Sequence, residues 1–302
     1  MRALVNLRYV ETVAREGSIR KAADKLAITS TALNRRILAL EEELGYPLFE
    51  RLPSGVRLNT AGEIFVDFVR RQFSDLERVK SQMADLAGMR RGHISVISSP
   101  EALKYFLPEQ LALYREQYPQ VTFDIKRAYG AEAEAALIRL EADIALTMEP
   151  VQSPQFKVMA SAPQNVHVMM AADHPLAGKQ EMRLRDCIGY PVILPSPQNG
   201  IRQLIDLSLL MTPLPLAVVG ESDSLDFLYT YLKKEQALSF QVPIAQHRDA
   251  ESSLSSVPLN TRDVKRGVLH VGHLKDRVLS VAASKFLEQI MTSLAESFPD
   301  TA

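Results

Sequence analysis

Cysteine is nearly missing from this chain of 302 residues, which holds one, Cys187. Neither an internal disulfide nor a thiolate zinc cluster is available, and redox sensing by a cysteine pair is excluded. Within Leu184-Arg185-Asp186-Cys187-Ile188-Gly189 the residue reads as a small packed hydrophobe, with a lone redox thiol as the weaker alternative. Long apolar runs are also lacking. Nothing approaches the roughly 18 uninterrupted residues of a membrane span, and the first segment, MRALVNLRYVETVARE, carries a charge every few residues. No membrane partner is expected, and a cytoplasmic location is. No metal set is found: His270 and His273 lie in the strand-like Val268-Leu269-His270-Val271-Gly272-His273, where residues three apart point to opposite faces. No nucleophile stands with a base and an orienter, and no phosphate loop rich in glycine is present, so no catalytic residue and no cofactor are assigned. Net charge is only −1, but it divides into +4 over residues 1–92 and −5 over residues 93–302. A modestly basic front suits a phosphate-binding module, and the acidic remainder would be repelled by a polyanion.

What the chain does have begins at Gly17-Ser18. Ser18 is placed to cap a short helix whose Ile19, Ala22, Ala23 and Leu26 share a face, and Leu4, Leu7, Val10, Val13 and Ala14 make an earlier helix able to roof it. Thr29 offers a second cap, and Leu33, Ile37, Leu40 and Leu44 form the next stripe. At about 100° per residue, Thr31, Asn34 and Arg35 fall on the opposite side, with Ser30 in the first turn. Arg matches the guanine edge, Asn matches adenine, and hydroxyls reach bases or phosphates, so this is the pattern of a helix-turn-helix whose second helix reads double-stranded DNA. An ordinary helical hairpin with a solvated polar face is the alternative. Two short strand-like runs around Pro53-Ser54-Gly55 then read as a wing, with Arg51 and Arg57 flanking its turn where phosphates or the minor groove would lie.

The run from Leu7 to Gly62 resembles the winged helix-turn-helix of LysR-type transcriptional regulators. The matching features are Gly17-Ser18, Ala22-Ala23, Ala32-Leu33, the Leu-Glu-x-x-Leu-Gly of residues 40–45, the Leu-Phe-x-Arg of residues 48–51 and, slightly shifted, Thr60-Ala61-Gly62. Where the family usually carries Ser-Gln-Pro-Ala-Leu-Ser, this chain has Thr29-Ser30-Thr31-Ala32-Leu33-Asn34, so the bases read do not transfer.

Composition suits about two domains with ample cores, at 46% hydrophobic residues. The expected divisions are a DNA-binding domain over residues 1–60, a linker helix over 61–87, a hinge over 88–92 and an α/β domain over 93–302. Thr60-Ala61-Gly62-Glu63 has the form of a capping box. Phe65, Val69, Gln72, Leu76, Val79, Met83 and Leu86 alternate spacings of four and three, which predicts a two-helix seam and a homodimer reading two half-sites. From His93 onward strands and helices alternate, as in βαβ units on parallel sheets. In such sheets ligands sit beyond the carboxyl ends of strands, against helix N-termini. That places Ser98, Ser99, Pro100, Tyr129 and Thr147 from one lobe, and Gln198, Asn199 and Gly200 from another, around a cleft. Plain helix capping is the other reading of each, and an anionic metabolite is the class preferred at those helix ends.

The resemblance continues through Phe106-Leu107-Pro108, Asp143-Ile144-Ala145-Leu146, His174-Pro175-Leu176 and the Ala-Ala-Ser-Lys-Phe-Leu of residues 282–287. It implies a bilobed effector domain like a periplasmic binding protein, with lobe I over 93–162 and 274–302 and lobe II over 163–273. Homotetramers and contact with RNA polymerase are implied too. Two departures are Glu141 in place of the usual Gly before the strand of Asp143, and the loss of Gly-Leu-Gly before Pro243. An enzyme using the same cleft is the rival reading from another class. An architectural DNA protein is a third, for which the α/β lobes would be superfluous.

Overall fold

Cap chemistry sets the ends of the first helices. In the computed structural model, which describes residues 2–86, 91–246 and 253–299, α1 (Arg2–Glu16) ends at Gly17 with φ +60°. The Ser18 hydroxyl accepts from Lys21 N at 3.4 Å to open α2 (Ile19–Lys25). Thr29 accepts from Ala32 N at 3.2 Å to open α3 (Ser30–Leu44), which Gly45 closes in the left-handed conformation. Val10, Val13, Ala22, Ala23, Leu33, Ile37, Leu48 and Val66 make one buried core. Strands β1 (Phe49–Leu52) and β2 (Gly55–Leu58) pair antiparallel as a hairpin. Gly55 is required there: a Cβ would stand 2.3 Å from the Gly17 carbonyl oxygen, which also accepts from Val56 N.

Helix α4 (Thr60–Leu86) follows, and its cap differs from the expected one. Asn59, not Thr60, is the cap: its Oδ1 accepts from Gly62 N at 2.8 Å while its Nδ2 donates to the Pro47 carbonyl. The amide serves both helix and hairpin, a double duty that a threonine hydroxyl one residue later could not perform. The apolar stripe also needs correction. Val66 and Val69 are buried and Phe65 packs on the helix-turn-helix core, so Phe65 and Val69 face inward. Ile64, Phe68, Val79 and Met83 are exposed, with Leu76 half-buried.

Contacts divide the chain into two units, Met1–Lys80 and Ser81–Ala302. In the second, the expected hinge is partly outside the described residues, and Arg91 and Gly92 already belong to β3 (Arg91–Ser98). Then come α5 (Pro100–Lys104), α6 (Phe106–Gln117), β4 (Gln120–Arg127), α7 (Gly130–Ile138), β5 (Ile144–Thr147), β6 (Phe156–Gln164) and β7 (His167–Ala171). The remainder is β8 (Pro191–Pro195), α8 (Gly200–Met211), β9 (Ala217–Ser222), α9 (Leu225–Leu232), β10 (Ser239–Gln241), β11 (Leu254–Pro258), β12 (Gly267–Leu274) and α10 (Val281–Ser297).

Lobe I is the sheet β4-β3-β5-β12-β6, and lobe II holds β10-β7-β11 and β8-β9. The sheets are mixed, not purely parallel. β3 is parallel to β4 and β5, and β8 to β9, but β12 runs antiparallel to both β5 and β6. Because Gly267–Leu274 pairs with Gln164–Phe156, all of β12 lies in lobe I, and the chain returns near residue 267 instead of 274. Cys187 is fully buried, and burial pushes its thiol up to about 12, which fits packing. Among the described residues no three metal-ligating side chains cluster; His270 Nδ1 is 3.0 Å from Ser161 Oγ and His273 Nδ1 2.8 Å from the Leu274 carbonyl.

At the start of β7, burial lowers His167 to about 4. The unfolded chain therefore binds a proton near pH 6.5 that the folded lobe refuses until about pH 4. Stability is complete above the unfolded value and falls between these limits, by at most about 3 kcal/mol. Urea unfolding of His167→Gln and the parent across this range checks the sign: the parent should lose more stability on acidification.

Candidate nucleic-acid interface and ligand cleft

On α3 the stripe of Leu33 and Ile37 is buried, which turns Thr31, Arg35, Leu38 and Glu42 outward. Arg35 is exposed and has no hydrogen-bond partner among the described residues. Asn34 is half-buried and lies toward the hairpin, where Arg51 Nη2 donates to its Oδ1 at 2.8 Å. Bidentate contact with adenine uses the amide oxygen and nitrogen together, and Arg51 occupies one of the two lone pairs of Oδ1. The pair also joins helix and hairpin. Arg57 meets Glu50 directly across the hairpin, Nη2 to Oε2 at 2.6 Å, and its charge is offset there. Ser18 and Thr29 each accept one capping bond, leaving the hydroxyl proton free to donate, and Ser30 is half-buried in the first turn. Leu38 was not picked out from sequence. It is an apolar residue off the buried stripe, 46% exposed one turn beyond Arg35, where it suits a thymine methyl. Arg36 stacks over the Tyr9 ring at 5.2 Å. At the end of α3, Glu41 Oε1 accepts from Leu48 N and Phe49 N, fixing the start of the hairpin.

In the second unit the carboxyl ends of β3, β4 and β5 and the starts of α5, α7 and α8 come together. Ser98 is buried and donates to the Ser99 carbonyl at 3.0 Å. Ser99 precedes α5 without a side-chain cap bond, and Pro100 is its first residue. Tyr129 precedes α7 in the same way. Asn199 is buried, caps α8 through Ile201 N and Arg202 N, and donates from Nδ2 to Glu101 Oε1 at 2.5 Å. Gln198 is exposed and joins none of these contacts.

Glu149, unforeseen from sequence, is the centre of this arrangement. Its Oε2 accepts from Gly130 N at 3.0 Å and from Thr147 Oγ1 at 2.5 Å, and its Oε1 accepts from Gly200 N at 3.0 Å. One buried carboxylate therefore sits on the N-termini of α7 and α8 together. At these two helix ends, where an anionic ligand is expected from the sequence, the chain places a carboxylate of its own. Glu101 is the second missed residue. It is fully buried, and burial raises its carboxyl pKa, with the Asn199 hydrogen bond opposing and the nearby Glu149 charge adding. Three further contacts join the lobes: Arg127 donates to the Asp223 carbonyl at 2.9 Å, Lys104 pairs with Asp226, and the Lys104 ammonium lies 4.7 Å from the Tyr229 ring centroid.

Two family models match the chain. Residues 4–63 match the bacterial regulatory helix-turn-helix protein, lysR family, and residues 87–295 match the LysR substrate binding domain. Among curated proteins, the uncharacterized HTH-type transcriptional regulator YbhD of Escherichia coli (strain K12) is 28% identical over 283 residues, covering 94% of this chain and 89% of YbhD. Among solved structures, a full-length OxyR variant from Pseudomonas aeruginosa superposes with a TM-score of 0.65 at 22% identity, covering 97% of this chain and 94% of OxyR. Full-length CbnR complexed with its target DNA gives 0.56 at 18% identity, covering 96% and 99%.

Proposed function

The chain belongs to the LysR family of bacterial helix-turn-helix transcriptional regulators, and on that premise we propose how its parts divide the work. It is a ligand-responsive DNA-binding regulator, as its family models and curated relatives are, and not an enzyme working in the same cleft. The observation that carries the reading of DNA is the outward face of α3, where Thr31 and Arg35 project beside a hairpin joined to the helix by Arg51 and Asn34. Arg35 reads a base, Thr31 and Leu38 flank it, and Ser18, Thr29, Ser30, Arg51 and Arg57 position the unit on phosphates. Homodimers form along α4 and present two such helices to a pseudo-palindromic operator in the cytoplasm. Family resemblance supports their pairing into tetramers and their contact with RNA polymerase. A small-molecule effector acts between the lobes, where the lobes meet through Asn199, Glu101, Glu149 and Gly200.

Replacing Arg35 by Ala tests the reader. Loss of a bidentate guanine contact costs about 1–3 kcal/mol and relaxes preference at one position of each half-site. Selection of bound sequences from random DNA, with parent and variant, is the measurement. Equal weakening on every sequence would make Arg35 a phosphate contact, and unchanged binding would remove it from the interface.

A further inference from the structure

Two glycines show how closely the lobes approach each other at the N-termini of α7 and α8. Gly200 opens α8 in lobe II without a positive φ, so its backbone conformation does not call for glycine. Space does. A Cβ there would stand 3.0 Å from the Met148 carbonyl oxygen and 3.3 Å from Glu149 N, which belong to the segment leaving β5 in lobe I. Gly130, the first residue of α7, is confined in the same way, its Cβ position lying 2.9 Å from Glu149 Cβ. One segment is therefore held between two helix starts, one from each lobe. Apolar packing continues across the same line, where Met148 Cε and Leu204 Cδ1 lie 2.9 and 3.3 Å from the position a Cβ would take on Gly267. One buried cluster accordingly includes Ile144 and Met148 of lobe I with Ile201 and Ile205 of lobe II.

Glu149 converts this approach into a bond. Its Oε2 is held inside lobe I by Gly130 N and Thr147 Oγ1, while its Oε1 accepts from Gly200 N of lobe II at 3.0 Å. The side chain is anchored on one lobe and reaches the other with its second oxygen. A further buried bond runs the same way across the seam, from Asn199 Nδ2 of lobe II to Glu101 Oε1 of lobe I. Hydrogen bonds to a buried carboxylate outweigh the ion pairs at the rim, where Asp223 and Asp226 are largely exposed opposite Arg127 and Lys104.

In hinged two-lobed proteins a ligand supplies the contacts that close the cleft. Here the chain supplies them. We propose that Glu149 latches the lobes together, so that the resting state of this regulator is closed and entry of an effector requires release of Gly200 from this carboxylate. A ligand shifts such an equilibrium only by its preference for one of the two states, and the latch makes the closed one the starting point. The regulatory half of the proposal rests on the effector-cleft reading above; the latch itself does not.

Pulsed electron resonance between paired spin labels tests this in the full-length protein. The labels go on Ile138→Cys of α7 and Leu210→Cys of α8, both exposed positions, while Cys187 stays unlabelled because it is buried with its thiol pushed up to about 12. Dilution with excess unlabelled chain confines the signal to distances within one chain. The parent should give one narrow distance. Glu149→Ala removes the bond and Gly200→Val sets a side chain against the Met148 carbonyl, so each should lengthen the distance by more than about 2 Å. Gly200→Ala should fall between. Val and Ala are both better helix formers than Gly, so if Gly200 served only its own helix these variants would keep the parent distance and melt no lower. Should Glu149→Ala fail to fold, the Gly200 series carries the test. A broad parent distribution, or the parent distance kept in Gly200→Val or in folded Glu149→Ala, overturns the latch. Capture of DNA from a random pool is measured on the unlabelled parent. If it is present, those negative results remove the latch alone; if it is absent, the regulator reading fails whatever the distances.

Discussion

Replacing Glu149 by Ala should lower the stability of the α/β unit by about 4 kcal/mol or more, because it removes the acceptor of three hydrogen bonds to a charged group, each worth about 1.5–3 kcal/mol. The loss falls on buried donors. Gly130 N and Gly200 N are the first amides of α7 and α8, both residues are buried, and neither helix has another acceptor at that position to take over. For a domain of 150–250 residues each kcal/mol moves the melting temperature by about 2–4 °C, which predicts a fall of about 8–16 °C. Glu149→Gln should lie between, since its amide oxygen accepts at one helix end while its NH2 meets a donor at the other. Scanning calorimetry gives the shifts. A drop of only a degree or two for the Ala variant would mean that water replaces the carboxylate at both ends, and the two helices would then be free to receive an external anion after all.

Why this carboxylate escaped a reading of the sequence is a matter of distance along the chain. Periodicity assigns charged residues to solvent, and Glu149 and Glu101 are buried only because donors 51 and 98 residues away close over them. The position of β12 was hidden for the same reason: its strand character shows in Val268-Leu269-His270-Val271, but its partners begin more than a hundred residues earlier. By contrast, the helix-turn-helix was legible nearly to the residue, because Ser18, Thr29 and Gly45 act on their own helix ends within a turn. Local signals fail there only where one side chain serves two neighbours. Asn59 caps α4 while holding the Pro47 carbonyl, and Asn34 faces the hairpin because Arg51 takes its oxygen. The phase of α4 was the other loss. Phe65 with Val69 and Ile64 with Phe68 are both apolar steps of four, and only docking on the core of Val10 and Leu33 decides which pair is covered.

That phase determines where dimers should be broken. Val79 and Met83 are 43% and 64% exposed on α4, and with Phe68 and Leu76 they leave an apolar line uncovered in the single chain. If two α4 helices meet along this line, Val79→Asp places two carboxylates near the symmetry axis, one from each copy, in a seam that offers them no partner. Breaking up such a burial costs about 3–5 kcal/mol for an uncompensated charge, enough to raise the dimer dissociation constant by about two to nearly four orders of magnitude. The consequence for DNA follows from geometry. Two linked readers gain about 10²–10⁴ in avidity over one, and that factor should vanish on a two-half-site duplex while binding to a single half-site stays as it was. Val69→Asp is the control, since Val69 is fully buried within the single chain; it should unfold the helix before it dissociates anything. Light scattering across a dilution series, paired with gel shifts on one-site and two-site duplexes, reads both effects. A Val79→Asp protein that remains dimeric at the parent's dissociation constant would move the seam off this face of α4, and one that dissociates yet keeps full two-site affinity would place dimerisation of the readers in the α/β units instead.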